Sequence, residues 1–175
     1  MKKVERKPNR LKGYNYSQAG LYFVTICTAD SIEYFGKVEN HQMILNQYGN
    51  IAHEYWLLIP EHYGLVQIDD FVVMPNHIHG IIIIEGLEAV PNETEQCSVA
   101  TDKNYGLLSK IVKSYKDVVS KAIRRRLNDQ EFAWQRSFCD HIIRNETALS
   151  NIRDYIRNNP LKRHLDRERA NELSR

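Results

Sequence analysis

What this sequence lacks narrows it first. No apolar run approaches the roughly 20 residues that a membrane-crossing helix needs. The first candidate, Leu21–Cys27, is short, is broken by Thr25 and begins too late for the apolar region of a signal peptide. The expectation is a soluble protein with no place in a membrane. Cysteine is scarce: Cys27, Cys97 and Cys139 are odd in number and widely spread. They make neither a disulfide framework nor a Cys-x-x-Cys metal knuckle, and so point to a reducing cytoplasm. Neither sign of charge dominates, since 24 Lys and Arg stand against 22 Asp and Glu, so bulk charge does not announce a nucleic-acid partner. Internal repeats are absent too, which excludes a solenoid or propeller.

What is present is enough for one domain. A chain of 175 residues with 42% hydrophobic content can bury a core of its own. The expected division is a basic N-terminal arm over 1–20, a single domain over 21–165 and a polar tail over 166–175. The balanced charge is unevenly distributed. Six Lys or Arg and one Glu fall in the first twelve residues, and seven fall between Lys110 and Arg126 against Asp117 alone. Such blocks suit a polyanion, and they equally suit a solvated surface. Tyr14 and Tyr16 in the arm could stack on bases or anchor the arm to the domain.

Local patterns predict the elements. Leu21–Thr28, rich in aromatic and β-branched residues, reads as a buried strand. A short ribbon is expected near Tyr34–Val38 and Gln42–Leu45. Ile51, Ala52, Tyr55, Trp56 and Ile59 have helical spacing, with Asn50 as the N-cap and Pro60 as the stop. Tyr63–Val73 and residues 77–84 read as strands joined at the Pro75-Asn76 turn. Residues 86–104 lose all periodicity. Tyr105–Leu127 is the clearest helix, its apolar stripe running from Leu107 to Ile123 with Tyr115 inside it. A fourth main strand is expected within Phe132–Cys139, and a last helix from the N-cap Asn145 to Asn158 or Asn159, ended by Pro160. The order β, α, β, β, α, β plus one helix predicts an α+β fold. This is the ferredoxin-like, split βαβ type: an antiparallel sheet, helices on one face, and an extra C-terminal helix.

Two stretches carry chemistry. His77-Ile78-His79 opens a strand, so both imidazoles share a face and can grip one metal ion while Ile78 points into an apolar layer. By itself a His-x-His pair is a weak signal. On the last helix Ile152, Tyr155, Ile156 and Asn159 fall at i, i+3, i+4 and i+7, hence on one face. Spacing alone makes Tyr155 an aromatic core residue; a phenol becomes a useful nucleophile only where its target is polarised.

Three blocks together carry a resemblance. They are Met74-Pro-Asn-His-Ile-His-Gly-Ile-Ile-Ile-Ile84, Trp134-Gln-Arg-Ser-Phe-Cys-Asp-His-Ile-Ile-Arg-Asn-Glu146 and Asp154-Tyr-Ile-Arg-Asn-Asn-Pro160. In this order they resemble the REP-associated tyrosine transposases, single-tyrosine enzymes of the His-hydrophobic-His group, over about residues 14–164. The resemblance implies a ferredoxin-like fold and cleavage and strand transfer on single-stranded DNA containing a hairpin, in the bacterial nucleoid. It implies that His77, His79 and Asn159 hold Mg²⁺ or Mn²⁺. Tyr155 would attack the scissile phosphate, leaving a 5′-phosphotyrosine link and a free 3′-OH. Where relatives have an aromatic, this chain has Cys139. Some relatives form homodimers with exchanged tyrosine helices.

His141 fits either a supporting or DNA-contacting group at the site or a structural histidine beside Asp140. Arg6, Lys7, Arg10, Lys12, Lys110, Lys113 and Lys121 are the candidate phosphate contacts. Two other functions compete: a phosphoesterase that activates water with its metal, and a non-catalytic nucleic-acid-binding module.

Overall fold

The computed structural model describes residues 18–86, 106–163 and 165. The basic arm and its Arg6, Lys7, Arg10, Lys12, Tyr14 and Tyr16 lie outside them, as do Cys97, His164, most of the aperiodic 86–104 stretch and the tail. The elements are β1 (Gly20–Cys27), β2 (Gly36–Glu39), β3 (Gln42–Leu45), α1 (Gln47–Leu57), α2 (Ile59–His62), β4 (Val66–Met74), β5 (His77–Ile84), α3 (Leu107–Leu127), β6 (Cys139–Ile143) and α4 (Glu146–Arg157). The main sheet runs β4-β5-β1-β6, and every neighbouring pair is antiparallel. Strand β5 therefore lies between β1 and β4, the strands that α1 joins, and β1 lies between β5 and β6, which α3 joins. These are two interleaved split βαβ units, the ferredoxin-like arrangement predicted. Strands β2 and β3 form a separate ribbon.

The period-2 alternation of the two central strands divides the protein into layers. Tyr22, Val24 and Ile26 of β1 and Ile78 and Ile82 of β5 face α1 and α3, meeting Trp56, Leu108, Ile111, Tyr115 and Val119 in the main core. Tyr115 is a core residue whose hydroxyl donates to the Ala52 carbonyl at 2.8 Å. The opposite face of the sheet presents Leu21, Phe23, Ile81 and Ile83, and these pack on Leu149, Ile152 and Ile156 of α4. Among the described elements, the last helix is thus alone on its side of the sheet.

Several boundaries differ from the sequence reading, each for a local reason. The N-cap of α1 is Asn46, not Asn50: its side chain accepts from Gly49 N at 3.0 Å. Pro60 does not stop α1 but sits in the first turn of α2, where a missing N–H costs nothing. The aromatic segment 132–138 is not the fourth main strand. Only Trp134 makes a bridge, to Thr28, while Phe132 is buried among Tyr34, Phe35 and Tyr48. Lys116 Nζ donates to the Gln135 and Ser137 carbonyls, leaving the strand to form later, over Cys139–Ile143.

Candidate active site

Strand β5 begins at His77, directly after the Pro75-Asn76 turn, so the histidine pair stands at a strand end on the face that α4 covers. The two rings are edge-on with centroids 4.5 Å apart. Phe23 of β1 stacks against His79 at 5.3 Å and meets Tyr155 edge-on at 6.0 Å. The Tyr155 hydroxyl lies 3.3 Å from His79 Nε2, across 76 residues of sequence. Tyr155 is 40% exposed, at the seam between helix and sheet, whereas its neighbour Ile156 is buried. The reading of Tyr155 as a core residue therefore does not describe this site.

Helix α4 is aimed by its first and last turns. Asn145 caps it, accepting from Ala148 N at 2.8 Å, only two residues after β6 ends. Two arginines flanking Tyr155 then tie the helix to β4. Arg153 Nη2 donates to Asp69 Oδ2 at 2.6 Å, and Arg157 Nε forms an ion pair with Asp70 Oδ2 at 2.7 Å that lacks hydrogen-bond geometry. Both aspartates sit where the β4–β5 register breaks between Ile68 and Phe71. A bulge lets consecutive side chains depart from strict alternation, so both carboxylates can meet one helix. Sequence reasoning missed this clasp; its signals were two consecutive acids inside a largely apolar strand and two arginines at i, i+4 around the tyrosine.

After α4 the chain turns at Asn158 and resumes as helix over residues 159–163, with Lys162 N donating to Asn158 O at 3.1 Å. Pro160 lies in the opening of that stretch, and Asn159 is buried at 7% exposure instead of lying on a frayed end. Asn159 is four residues from Tyr155, which reaches His79, and four from Arg163, whose Nη1 reaches Asn76 beside His77. Lys162 Nζ stands 5.8 Å from the Tyr155 ring centroid.

The electrostatics keep both imidazoles neutral. Burial, with the nearby Arg163 charge second, lowers the His77 pKa to about 4. Burial, with His77 second, lowers that of His79 to about 3. His77 Nδ1 is 2.8 Å from Asn76 Oδ1 and His79 Nδ1 is 2.9 Å from Thr25 Oγ1, so neighbours occupy both Nδ1 atoms, while His79 Nε2 faces the Tyr155 hydroxyl. Neutral imidazoles with oriented rings fit a divalent metal, which competes with protons for the same lone pairs. Among the described residues no group of three or more His, Cys, Asp and Glu could hold a metal. Any third protein ligand among the described residues would be of another type; Asn159, buried four residues beyond Tyr155, carries a side-chain amide of that kind.

The other predicted residues fall elsewhere. His141 is exposed on β6, opposite Phe23, on the same face as His79 but beyond β1. Lys110, Lys113 and Lys121 belong to α3, on the other side of the sheet from the histidines and Tyr155. No described helix is long and apolar enough to cross a membrane.

No protein-family model matches the chain. A Haemophilus influenzae protein named only "Uncharacterized protein" is 39% identical over 161 residues, covering 89% of this chain and 88% of its own length. A second protein of that organism, named "Putative REP-associated tyrosine transposase", is 26% identical over 154 residues, covering 85% of this chain and 74% of its own. Among solved structures, a REP-associated tyrosine transposase bound to a REP hairpin superposes with a TM-score of 0.50 at 19% identity, over 93% of this chain and 74% of that one. At that identity the likeness establishes the shared fold. In fold, in the 26% identical relative and in the three motif blocks in order, the chain resembles the REP-associated tyrosine transposases.

Proposed function

We propose that this protein cuts and rejoins single-stranded DNA beside hairpin-forming repeats, with Tyr155 as the nucleophile and His77, His79 and Asn159 as ligands of a Mg²⁺ or Mn²⁺ ion. The observation that carries this reading is the approach of the Tyr155 hydroxyl to His79 Nε2, at 3.3 Å, from an element 76 residues away. A nucleophile beside a metal-ligating nitrogen is the arrangement that phosphoryl transfer requires, because the attacking oxygen and the polarised phosphate must meet in line.

In this mechanism Tyr155 Oη attacks the scissile phosphorus and its proton passes to water, which reaches the 40% exposed tyrosine. The phosphorus–O3′ bond breaks, the 3′ oxygen takes a proton and leaves as a free hydroxyl, and the 5′ side stays esterified to the tyrosine. A second 3′-OH then attacks the phosphotyrosine and Tyr155 leaves, so the ester bond is conserved without a nucleotide cofactor. The bound ion supplies Lewis-acid neutralisation of the phosphoryl oxygens. Imidazole and amide donors bind Mn²⁺ more tightly than Mg²⁺, so availability decides which ion is used. Asp69, Asp70, Arg153 and Arg157 hold α4 so that the hydroxyl stays at the metal-binding edge. The site assembles within one chain, the two-residue connection from β6 delivering α4 onto its own sheet.

The test is incubation of wild-type and Tyr155→Phe protein with labelled single-stranded hairpin DNA and Mn²⁺. Wild type should give nicked product and a covalent protein–DNA adduct, and the variant neither. Cleavage without adduct in both proteins would make this a water-activating phosphoesterase. Binding alone, unchanged by His77→Ala and His79→Ala, would make it a non-catalytic module.

A further inference from the structure

The turn before the histidine pair holds an amide whose orientation is fixed from two sides. Asn76 Nδ2 donates to the Ser31 carbonyl at 3.1 Å, and a carbonyl can only accept, so the other terminal atom of Asn76 is the oxygen. That oxygen accepts from Arg163 Nη1 at 3.4 Å, and Arg163 Nη2 is in turn held by Glu33 Oε1 at 2.5 Å. The Asn76 backbone is pinned as well, its carbonyl accepting from Thr28 N at 3.0 Å and from Thr28 Oγ1 at 2.9 Å. Into this fixed acceptor points His77 Nδ1, at 2.8 Å.

An amide oxygen has no proton to give, so His77 must carry its own proton on Nδ1 for this bond to exist. The lone pair is then on Nε2. We infer that Asn76 and Arg163 are positioning residues which set the tautomer and ring orientation of His77, so that Nε2 is the ligating nitrogen. This rests on the proposed role of His77 as a metal ligand and adds what makes it one. Glu33 anchors the arginine from the segment after β1, and Arg163 follows Asn159 by one helical turn. The relay therefore ties the helical stretch carrying the third ligand to the turn carrying the first. His79 has no such fixed partner, because the Thr25 hydroxyl at its Nδ1 can donate or accept.

The decisive readouts precede any DNA chemistry. Long-range ¹⁵N–¹H correlation spectra of the metal-free wild-type protein should show His77 protonated on Nδ1. Finding the proton on Nε2 overturns the inference without reference to any variant. Mn²⁺ affinity, measured by titration calorimetry on the full chain, should fall about 10- to 100-fold in Asn76→Ala, the usual cost of removing a group that orients a metal-ligating histidine. Asn76→Asp, which keeps an acceptor for His77 Nδ1 but gives up the donor to the Ser31 carbonyl, should recover only part of the loss. Because Asn76→Ala could loosen the turn, Arg163→Gln provides the second test: it leaves the turn's own bonds and the Nδ1 proton of His77 in place, removes one restraint on the Asn76 oxygen and should lower Mn²⁺ affinity by less than Asn76→Ala does. Wild-type Mn²⁺ affinity that His77→Ala does not change would refute the ligand role itself. A full loss in His77→Ala, with Asn76→Ala and Arg163→Gln binding like wild type, would refute only the relay.

Discussion

Gly80, immediately after the histidine pair, is the position at which fold and site are most tightly joined. Its core-facing side is occupied by a neighbour's ring. A Cβ built there would stand 2.3 Å from Trp56 Cζ2 and 3.0 Å from Phe71 Cβ. That falls short of ordinary van der Waals contact by about 1 Å. Trp56 has little room to retreat: it is fully buried, stacked on Phe71 at 5.7 Å and edge-on to Tyr115 at 5.2 Å. Gly80→Ala must therefore displace the indole or bend the strand. Overpacking of this kind costs about 1–3 kcal/mol, against which the reduced freedom of the unfolded chain returns about 0.4–1 kcal/mol. The net expectation is a loss of about 1–2 kcal/mol, read as a lower urea midpoint at unchanged slope. Trp56→Phe removes the clashing atom and by itself leaves a cavity. The double variant should accordingly be more stable than the sum of the two single losses predicts, by about 1 kcal/mol or more. A neutral or stabilising Gly80→Ala, or strict additivity with Trp56→Phe, would refute this account of why the strand carries glycine beside its histidines.

Other consequences follow from the way α4 is seated. Replacing both clasp arginines, Arg153→Gln with Arg157→Gln, should slow adduct formation about 10- to 100-fold through misplacement of the nucleophile, with the circular dichroism spectrum unchanged; an unaltered rate would show that the clasp does not aim Tyr155. Ile156→Ala, truncating a side chain only 1% exposed, should lower stability by about 2–4 kcal/mol in chemical denaturation. The buried histidines give stability a definite pH dependence. Unfolded imidazoles take protons near 6.5, whereas folded His77 and His79 resist until about 4 and 3. Below pH 6.5 the unfolded state therefore binds more protons, and stability that is complete above 6.5 declines as pH falls toward 4. At pH 5 the two together should remove about 3–4 kcal/mol. A His77→Gln/His79→Gln variant should lose that part of the pH slope, and an identical slope in the variant would show that the histidines are not its source.

Much of this was legible from residue patterns, and the failures share physical causes. Strand β5 was visible because a turn signal is followed closely by the β-branched run Ile81–Ile84, and α3 because its stripe spans more than four turns. Prolines 60 and 160 both read as helix stops, yet both lie in the first turn of a following helical stretch, where proline's fixed φ is favourable; direction of reading is ambiguous at such a residue. The 132–138 segment has strand-like composition, but its aromatics fill one end of the core as a loop. Edge strand β6 went unrecognised because its exposed face carries Cys139 and His141 instead of an apolar pattern. At the site, the His-x-His spacing and the tyrosine helix could be read locally. The Asp69–Arg153 and Asn76–Arg163 bonds could not, since each joins side chains more than 80 residues apart. Likewise, helical spacing reveals the basic side of α3 but not which face of the sheet α3 covers. The structure puts Lys110, Lys113 and Lys121 on the opposite side of the sheet from Tyr155.

The central claim is that Tyr155 becomes covalently joined to DNA at a metal held by His77 and His79. Its most direct test is mass spectrometry of the adduct formed with a single-stranded hairpin substrate and Mn²⁺, after nuclease trimming and trypsin digestion. The account predicts a 5′-linked nucleotide on the peptide Asp154-Tyr155-Ile156-Arg157, absent from a His77→Ala/His79→Ala protein. An adduct on any other residue, or cleaved DNA with no adduct, would contradict it.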